Sequence, residues 1–132
     1  MDTSAFIALN DRSDRLHERA KDFFTRLTAA DRLHTSNYVI DETITRLRYA
    51  NGHAAAVGFA DAVVGGKLFD IAYVDAELEK AAMRVLKKYK DKRLSFTDCT
   101  TVALAQALRL EGVFAFDDDF AAVGLAMLPG DA

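Results

Sequence analysis

Residues 67–74 read Lys-Leu-Phe-Asp-Ile-Ala-Tyr-Val (KLFDIAYV) and run straight into Asp75-Ala76-Glu77-Leu78. The first stretch is β-rich and almost wholly apolar, the pattern of a strand buried on both faces. A strand covered in that way belongs to a parallel sheet with helices packed on each side. Asp75 is placed to cap a helix whose Leu78, Ala82, Val85 and Tyr89 recur at spacings of four, three and four. Outward from this strand–helix unit the alternation repeats. Asp11 to Ala30 is expected to be a helix with Leu16, Ala20, Phe23 and Leu27 on one face. Asp11 or Ser13 would cap it, and Asp14 and Glu18 suit the positive end of its dipole. Leu33 to Thr35 is a short strand that leads into a helix from about Asn37 to Ala50. Asn51-Gly52 breaks that helix, and another runs from His53 to Val64 before Gly65-Gly66. Downstream, a helix starts near Phe96 and ends before Gly112, with Val113–Phe116 and Gly124–Leu128 as closing strands. The expected class is α/β, with a small, mostly parallel central sheet and helices on both faces. In such sheets the working surface lies at the carboxyl ends of the strands.

Composition bounds the rest. With 132 residues, 51% hydrophobic and 28% charged, the chain is long enough for one domain that buries about two-thirds of its extended-chain surface. Disorder and low complexity are excluded. The longest apolar stretches are too short for a membrane span, and no signal peptide is expected. Cys99 is the only cysteine, so no disulfide framework and no cysteine-based zinc site can form, and a reduced cytoplasm is the expected compartment. The 17 Lys and Arg against 20 Asp and Glu give a net charge of −3, so any basic surface must be local. Histidines 17, 34 and 53 match no metal spacing and fit surface or cap roles. No Gly-rich phosphate loop and no Ser-His-Asp set is present.

Acids stand out instead, at element starts and strand ends. Asp2 precedes Thr3-Ser4 and the apolar run Ala5–Leu9. Glu42 lies in the first turns of one helix and Asp98 in the first turn of another, while Asp117 directly follows Val113–Phe116. Plainer readings stand beside these. Ser95-Phe96-Thr97-Asp98 fits a capping box, and Asp117-Asp118-Asp119 fits a solvated turn. Asp41 shares a helical stripe with Asn37, Thr45 and Arg48, a solvent face. Glu42 shares its stripe with Val39, Arg46 and Tyr49, which is partly apolar and makes Glu42 the more informative acid.

The segments Met1–Leu9 (MDTSAFIAL), Asn37–Thr43 (NYVIDET), Leu94–Asp98 (LSFTD) and Phe116–Phe120 (FDDDF) resemble a PIN domain, and among PIN domains the VapC-like ribonuclease toxins of toxin–antitoxin pairs. The resemblance runs in order over nearly the whole chain and implies a three-layer α/β sandwich formed by a single domain over 1–132. By the same resemblance Asp2 corresponds to the acid ending strand one, Glu42 to the helix-borne Glu, Asp98 to the acid opening the later helix and Asp117 to the fourth acid. Thr97 or Ser95 would add a hydroxyl contact, and Asp119 is an additional acid at a position that is often not acidic in the family. Only Met1 precedes Asp2 where the family carries several apolar residues, so the first strand is expected to be either short or truncated before Asp2.

Four converging carboxylates need cations to stay ionised. Mg²⁺ prefers oxygen ligands and keeps several waters, so it suits such a site, with Mn²⁺ as a substitute. The expected chemistry is endoribonucleolytic hydrolysis of a phosphodiester by water activated at the ion, with Asp2 and Asp98 as direct ligands. Glu42 and Asp117 would bind a second ion or orient water. Arg84–Arg93 (RVLKKYKDKR) supplies six basic residues in ten, either as a phosphate-contacting rim or as a solvated helix end. Arg46 and Arg48 lie beside Glu42. The resemblance also implies a small antitoxin that blocks the acidic site, and a homodimer, to which Phe23, Phe24 and Tyr49 lend apolar surface. A catalytically idle PIN-like binding module is the alternative. A receiver-type signalling domain fits less well, because it expects adjacent acids after the first strand and a late Lys, where this chain has Leu128-Pro129-Gly130.

Overall fold

The computed structural model describes residues 1–130 of the chain. In order, the elements are α1 (Thr3–Asn10), α2 (His17–Arg26), β1 (Leu33–Ser36), α3 (Asn37–Asn51), α4 (His53–Val64), β2 (Phe69–Ala72), α5 (Ala76–Lys88), α6 (Phe96–Leu108), β3 (Val113–Phe114), α7 (Asp119–Ala122) and β4 (Met127–Leu128). Both strand pairs are parallel: β1 with β2, Leu33 opposite Phe69, and β3 with β4, Val113 opposite Met127. Met1 and Asp2 bridge the two pairs. The Met1 amino group donates to the His34 carbonyl at 2.6 Å, and the Asp2 N–H donates to the Phe114 carbonyl at 3.0 Å. This arrangement orders the strands as β2, β1, the Met1–Asp2 segment, β3 and β4.

Three apolar clusters hold the helices on the sheet. Phe6 of α1 joins Val39, Ile40 and Leu47 of α3 and Ala56, Phe59 and Val63 of α4. Ala5, Ala8 and Ala20 pack α1 and α2 on Phe114. Ala82 and Val85 of α5 meet Cys99, Val102 and Ala103 of α6 around Val113 and Phe120. Small residues where α1 meets α2 let the two helices approach closely, with Phe23 edge-on to Phe114 at 4.7 Å. Gly52, at φ 98°, is both the end of α3 and the N-cap of α4, a backbone conformation that only glycine adopts without strain. No helix among the described residues is long and apolar enough to cross a membrane.

Three expectations need correction. The strand expected over Lys67–Val74 is only Phe69–Ala72, and it is an edge strand rather than one buried on both faces. Phe69 and Ile71 pack inward, Asp70 points out to Arg32 at 2.5 Å, and the flanking Leu68 and Tyr73 are exposed. A run that is apolar but for Lys67 and Asp70 therefore conceals a period of two. The helix expected over Asp11–Ala30 is confined to His17–Arg26. Asp11, expected as a cap, and Asp14, expected at the positive end of the dipole, form turns instead, since Asp11 Oδ1 accepts from Ser13 N–H at 2.9 Å and Asp14 Oδ1 from Leu16 N–H at 2.8 Å. Asp31 does the same beyond the helix, accepting from Thr28 N–H. The closing strands shrink to two residues each, because Gly124 and Leu125 finish the turn after α7.

Candidate active site

The bridging segment delivers Asp2 to the carboxyl end of the sheet, where it caps α1. Asp2 Oδ2 accepts from the Ser4 N–H at 3.3 Å and the Ser4 hydroxyl at 3.1 Å. The same hydroxyl oxygen accepts from the Phe116 N–H at 2.9 Å, which ties Asp2 to the exit of β3 immediately before Asp117. Ser4 is thus a positioning residue that the sequence patterns did not single out; its signal was the cap spacing, a hydroxyl two residues after an acid. Asp2 is 3% exposed, and its Oδ1 is buried with no hydrogen-bond partner among the described residues. Burial pushes the Asp2 carboxyl above its usual range against the pull of the Ser4 and Thr3 bonds.

Asp98 opens α6 and is 8% exposed. The capping box is present, with Ser95 Oγ accepting from Asp98 N–H and Asp98 Oδ2 accepting from Ser95 N–H, both at 3.0 Å. The Ser95 hydroxyl is therefore engaged in the cap. The cap is not the whole role of Asp98. Its pKa is pushed up to about 6, first by desolvation and then by the charges of Asp2 and Asp117, while the Ser95 bond pulls the other way. Cap and charge cluster coexist in one side chain.

Asp117 is half-buried just past β3, and its Oδ1 accepts from Asp119 N–H at 3.0 Å. The Asp119 carboxyl is raised by desolvation, then by the charge of Asp117 and a hydrogen bond with it, with Arg93 opposing. Asp2, Asp98, Asp117 and Asp119 thus form one electrostatic chain. Glu42 stands apart. It lies in the second turn of α3, half-buried, and makes no hydrogen bond or ion pair among the described residues. Its stripe leaves the core after Val39, because Arg46 is exposed and Tyr49 is 86% exposed. No group of three or more His, Cys, Asp or Glu side chains among the described residues stands ready to hold a metal ion.

The basic stretch ends at this site. Lys87 and Lys88 close α5, Lys90 is exposed in the following turn, Lys92 pairs with Asp91 at 3.5 Å, and Arg93 acts on Asp119. The histidines serve local structure: His17 Nδ1 bonds the Ala8 carbonyl at 2.8 Å, His53 bonds Arg48, and His34 lies 3.9 Å from Asp70.

Residues 1–125 match the family described as PIN domain. The chain is 34% identical over 124 residues to the 23S rRNA-specific endonuclease VapC20 of Mycobacterium tuberculosis, covering 94% of this chain and 92% of that protein. It is 30% identical over 118 residues to Ribonuclease VapC26 of the same organism, covering 89% and 84%. A VapC ribonuclease of Archaeoglobus fulgidus is 32% identical over 90 residues, covering 67% and 56%. The crystal structure of VapC20, described as a Sarcin-Ricin loop cleaving toxin, superposes with a TM-score of 0.89 at 33% identity, over 95% of this chain and 94% of that one. The family match over residues 1–125 and the similarity over nearly the full length agree, and the chain belongs to the PIN domain family, beside relatives named as VapC ribonucleases.

Proposed function

We infer that this chain is a VapC-like endoribonuclease that hydrolyses RNA phosphodiester bonds with the help of Mg²⁺, or Mn²⁺ in its place. The observation that carries the reading is the pairing of an orphaned, buried Asp2 Oδ1 with an Asp98 that bears the charges of Asp2 and Asp117. A buried acceptor without a donor costs about 1–3 kcal/mol, and like charges add to it. A hard cation answers both, and the donors are all carboxylate oxygens, which fits Mg²⁺ better than a softer ion. Because no three acids among the described residues form a ready cage, a bound ion would keep several waters and reach some acids through them.

In this reading Asp2 and Asp98 hold the ion directly, and Asp117 and Glu42 hold a second ion or orient the attacking water. Ser4 keeps Asp2 aimed, and the capping box does the same for Asp98. The bound ion supplies an acidified water and positive charge against the phosphate. Asp119 shares charge with Asp117 and adds a further acid beside the site. Arg93 and the exposed Lys87, Lys88 and Lys90 contact backbone phosphates beside the acids. A small antitoxin covering the acidic site, and a homodimer, complete the proposal by analogy with the VapC relatives. Structured ribosomal RNA is the first substrate to test, since one relative is named for 23S rRNA.

The test is incubation of the purified chain with end-labelled cellular RNA, with Mg²⁺, with Mn²⁺ and with excess EDTA. Internal cleavage that needs the ion is expected. Cleavage undiminished by EDTA, or RNA binding with no cleavage under any ion, would overturn the reading, the latter in favour of an idle binding module.

A further inference from the structure

An open cavity of about 330 Å³ lies between α2, the segment that leaves β3, and the turn that leads from α7 into β4. Its size is that of a small-molecule subsite. Phe116 and Asp118, the two chain neighbours of Asp117, both line it, together with Arg19 of α2 and an apolar floor of Ala115, Leu125 and Met127. Anything seated there touches both chain neighbours of Asp117, although Asp117 itself does not line the cavity. The Arg19 guanidinium lies over the Phe116 ring, 5.6 Å from its centroid, and forms no ion pair among the described residues. Phe116 is itself backed edge-on by Phe114 at 6.1 Å. The Asp118 side chain is exposed and accepts no hydrogen bond among the described residues.

These groups select their occupant. Asp118 repels a phosphate, Arg19 repels a cationic side chain, and the floor favours a flat apolar face. A neutral ring with donors on one edge and acceptors on another satisfies all three. Among the four RNA bases, only guanine presents two adjacent N–H donors, N1–H and N2–H₂, to a carboxylate. Guanidinium planes and aromatic rings are the usual stacking platforms for unpaired RNA bases.

We propose that this cavity is a guanine-binding subsite for a base flanking the cleaved bond, with Arg19, backed by Phe116, as its stacking surface and Asp118 as the acceptor that reads its edge. The proposal rests on the endoribonuclease reading and deepens it by naming a base that the site selects.

The experiment has a cleavage arm and a binding arm. In the first, a randomised single-stranded RNA pool is cut with Mg²⁺ by wild type, Asp118→Asn and Arg19→Lys, and the bases around each cut are counted. Wild type should show guanine enriched at one flanking position, Asp118→Asn should lose about tenfold of that preference, and Arg19→Lys should weaken it with no new preference. In the second, oligonucleotides of 2′-O-methyl RNA are titrated in EDTA by fluorescence anisotropy. Replacing the guanine by inosine, which lacks the 2-amino group, should weaken binding by wild type about tenfold and leave Asp118→Asn unaffected. Thermal unfolding of each variant checks that it is folded. Cleavage by wild type with no guanine preference, or with one that Asp118→Asn retains, overturns the subsite. A uniform loss of cleavage in Asp118→Asn with its base preference intact also overturns it and assigns Asp118 to the acid centre. No cleavage by wild type, with the inosine effect present in the binding arm, overturns the nuclease reading and leaves the guanine site standing.

Discussion

Asp98 and Glu42 occupy similar places in the chain: each is an acid near the start of a helix at the end of the molecule where the strands finish. Their surroundings differ. Asp98 is almost fully buried, bonded to the Ser95 backbone and charged against Asp2 and Asp117. Glu42 is half-buried one turn deeper in its helix and meets no partner among the described residues. The difference comes from what the sheet delivers to each. The Met1–Asp2 segment is hydrogen-bonded to β3, and Ser4 binds both Asp2 and the Phe116 backbone, so Asp2 and Asp117 are drawn together beside the start of α6. Near Glu42 no such tie exists among the described residues. Being an acid in an early helical turn therefore does not make a residue part of a charge cluster; a second element must bring the opposing charge.

The largest test of that contrast is activity. Asp98→Asn should lower RNA cleavage by more than about a hundredfold, beyond what removal of an outer-shell group costs, whereas Glu42→Gln should cost about 10–100-fold. Single-turnover rates on one RNA read both. Equal losses would erase the distinction between the two acids.

Stability without metal sharpens it next. In EDTA near neutral pH, Asp98→Asn should be more stable than wild type by about 0.5–2 kcal/mol. The amide removes one negative charge, and its oxygen can still accept from the Ser95 N–H. Glu42→Gln should stay within about 0.5 kcal/mol of wild type. Added Mg²⁺ should stabilise wild type by mass action and Asp98→Asn far less. The pH dependence has a definite sign. The Asp98 carboxyl titrates at about 6 folded against 3.8 as the ordinary value, so the folded state binds its proton more tightly than the unfolded one. Its contribution to stability is fully present below the ordinary value and is lost as pH rises through about 6. Thermal unfolding in EDTA from pH 4 to 7 should therefore show wild type losing stability relative to Asp98→Asn across that window. Parallel curves, with the variant lower throughout, would reduce Asp98 to a helix cap.

The smallest effect concerns the basic stretch. Neutralising Lys87, Lys88 and Lys90 should weaken RNA binding and flatten its dependence on salt, by about 0.7 in the log–log slope for each single-strand phosphate that is no longer neutralised. An unchanged slope would make these lysines a solvated helix end that happens to precede Arg93.

Much of the architecture was legible locally. The α4 limits, His53–Val64, follow from Gly52 and Gly65-Gly66 flanking an apolar run, and Asp75 caps α5 with a 2.8 Å bond to Leu78 N–H. The Ser95–Asp98 capping box was equally plain, because both partners lie within one turn. The alternation of strands and helices, and with it the parallel α/β class, needed no more than such short-range patterns. What the sequence by itself determined is therefore the order of elements and the acids that stand at their ends.

Only the tertiary structure decided which of those acids meet. Ser4 and Phe116, whose bond draws Asp2 toward Asp117, are 112 residues apart. Arg93 and Asp119 are separated in the chain by α6 and β3, yet the Arg93 charge acts on the Asp119 carboxyl. The same holds for burial: KLFDIAYV reads as covered on both faces, yet β2 has no second neighbour strand among the described residues, so Leu68 and Tyr73 are exposed. Periodicity and caps are set by atoms a few residues apart, whereas burial and charge pairing depend on which segments the sheet register places side by side.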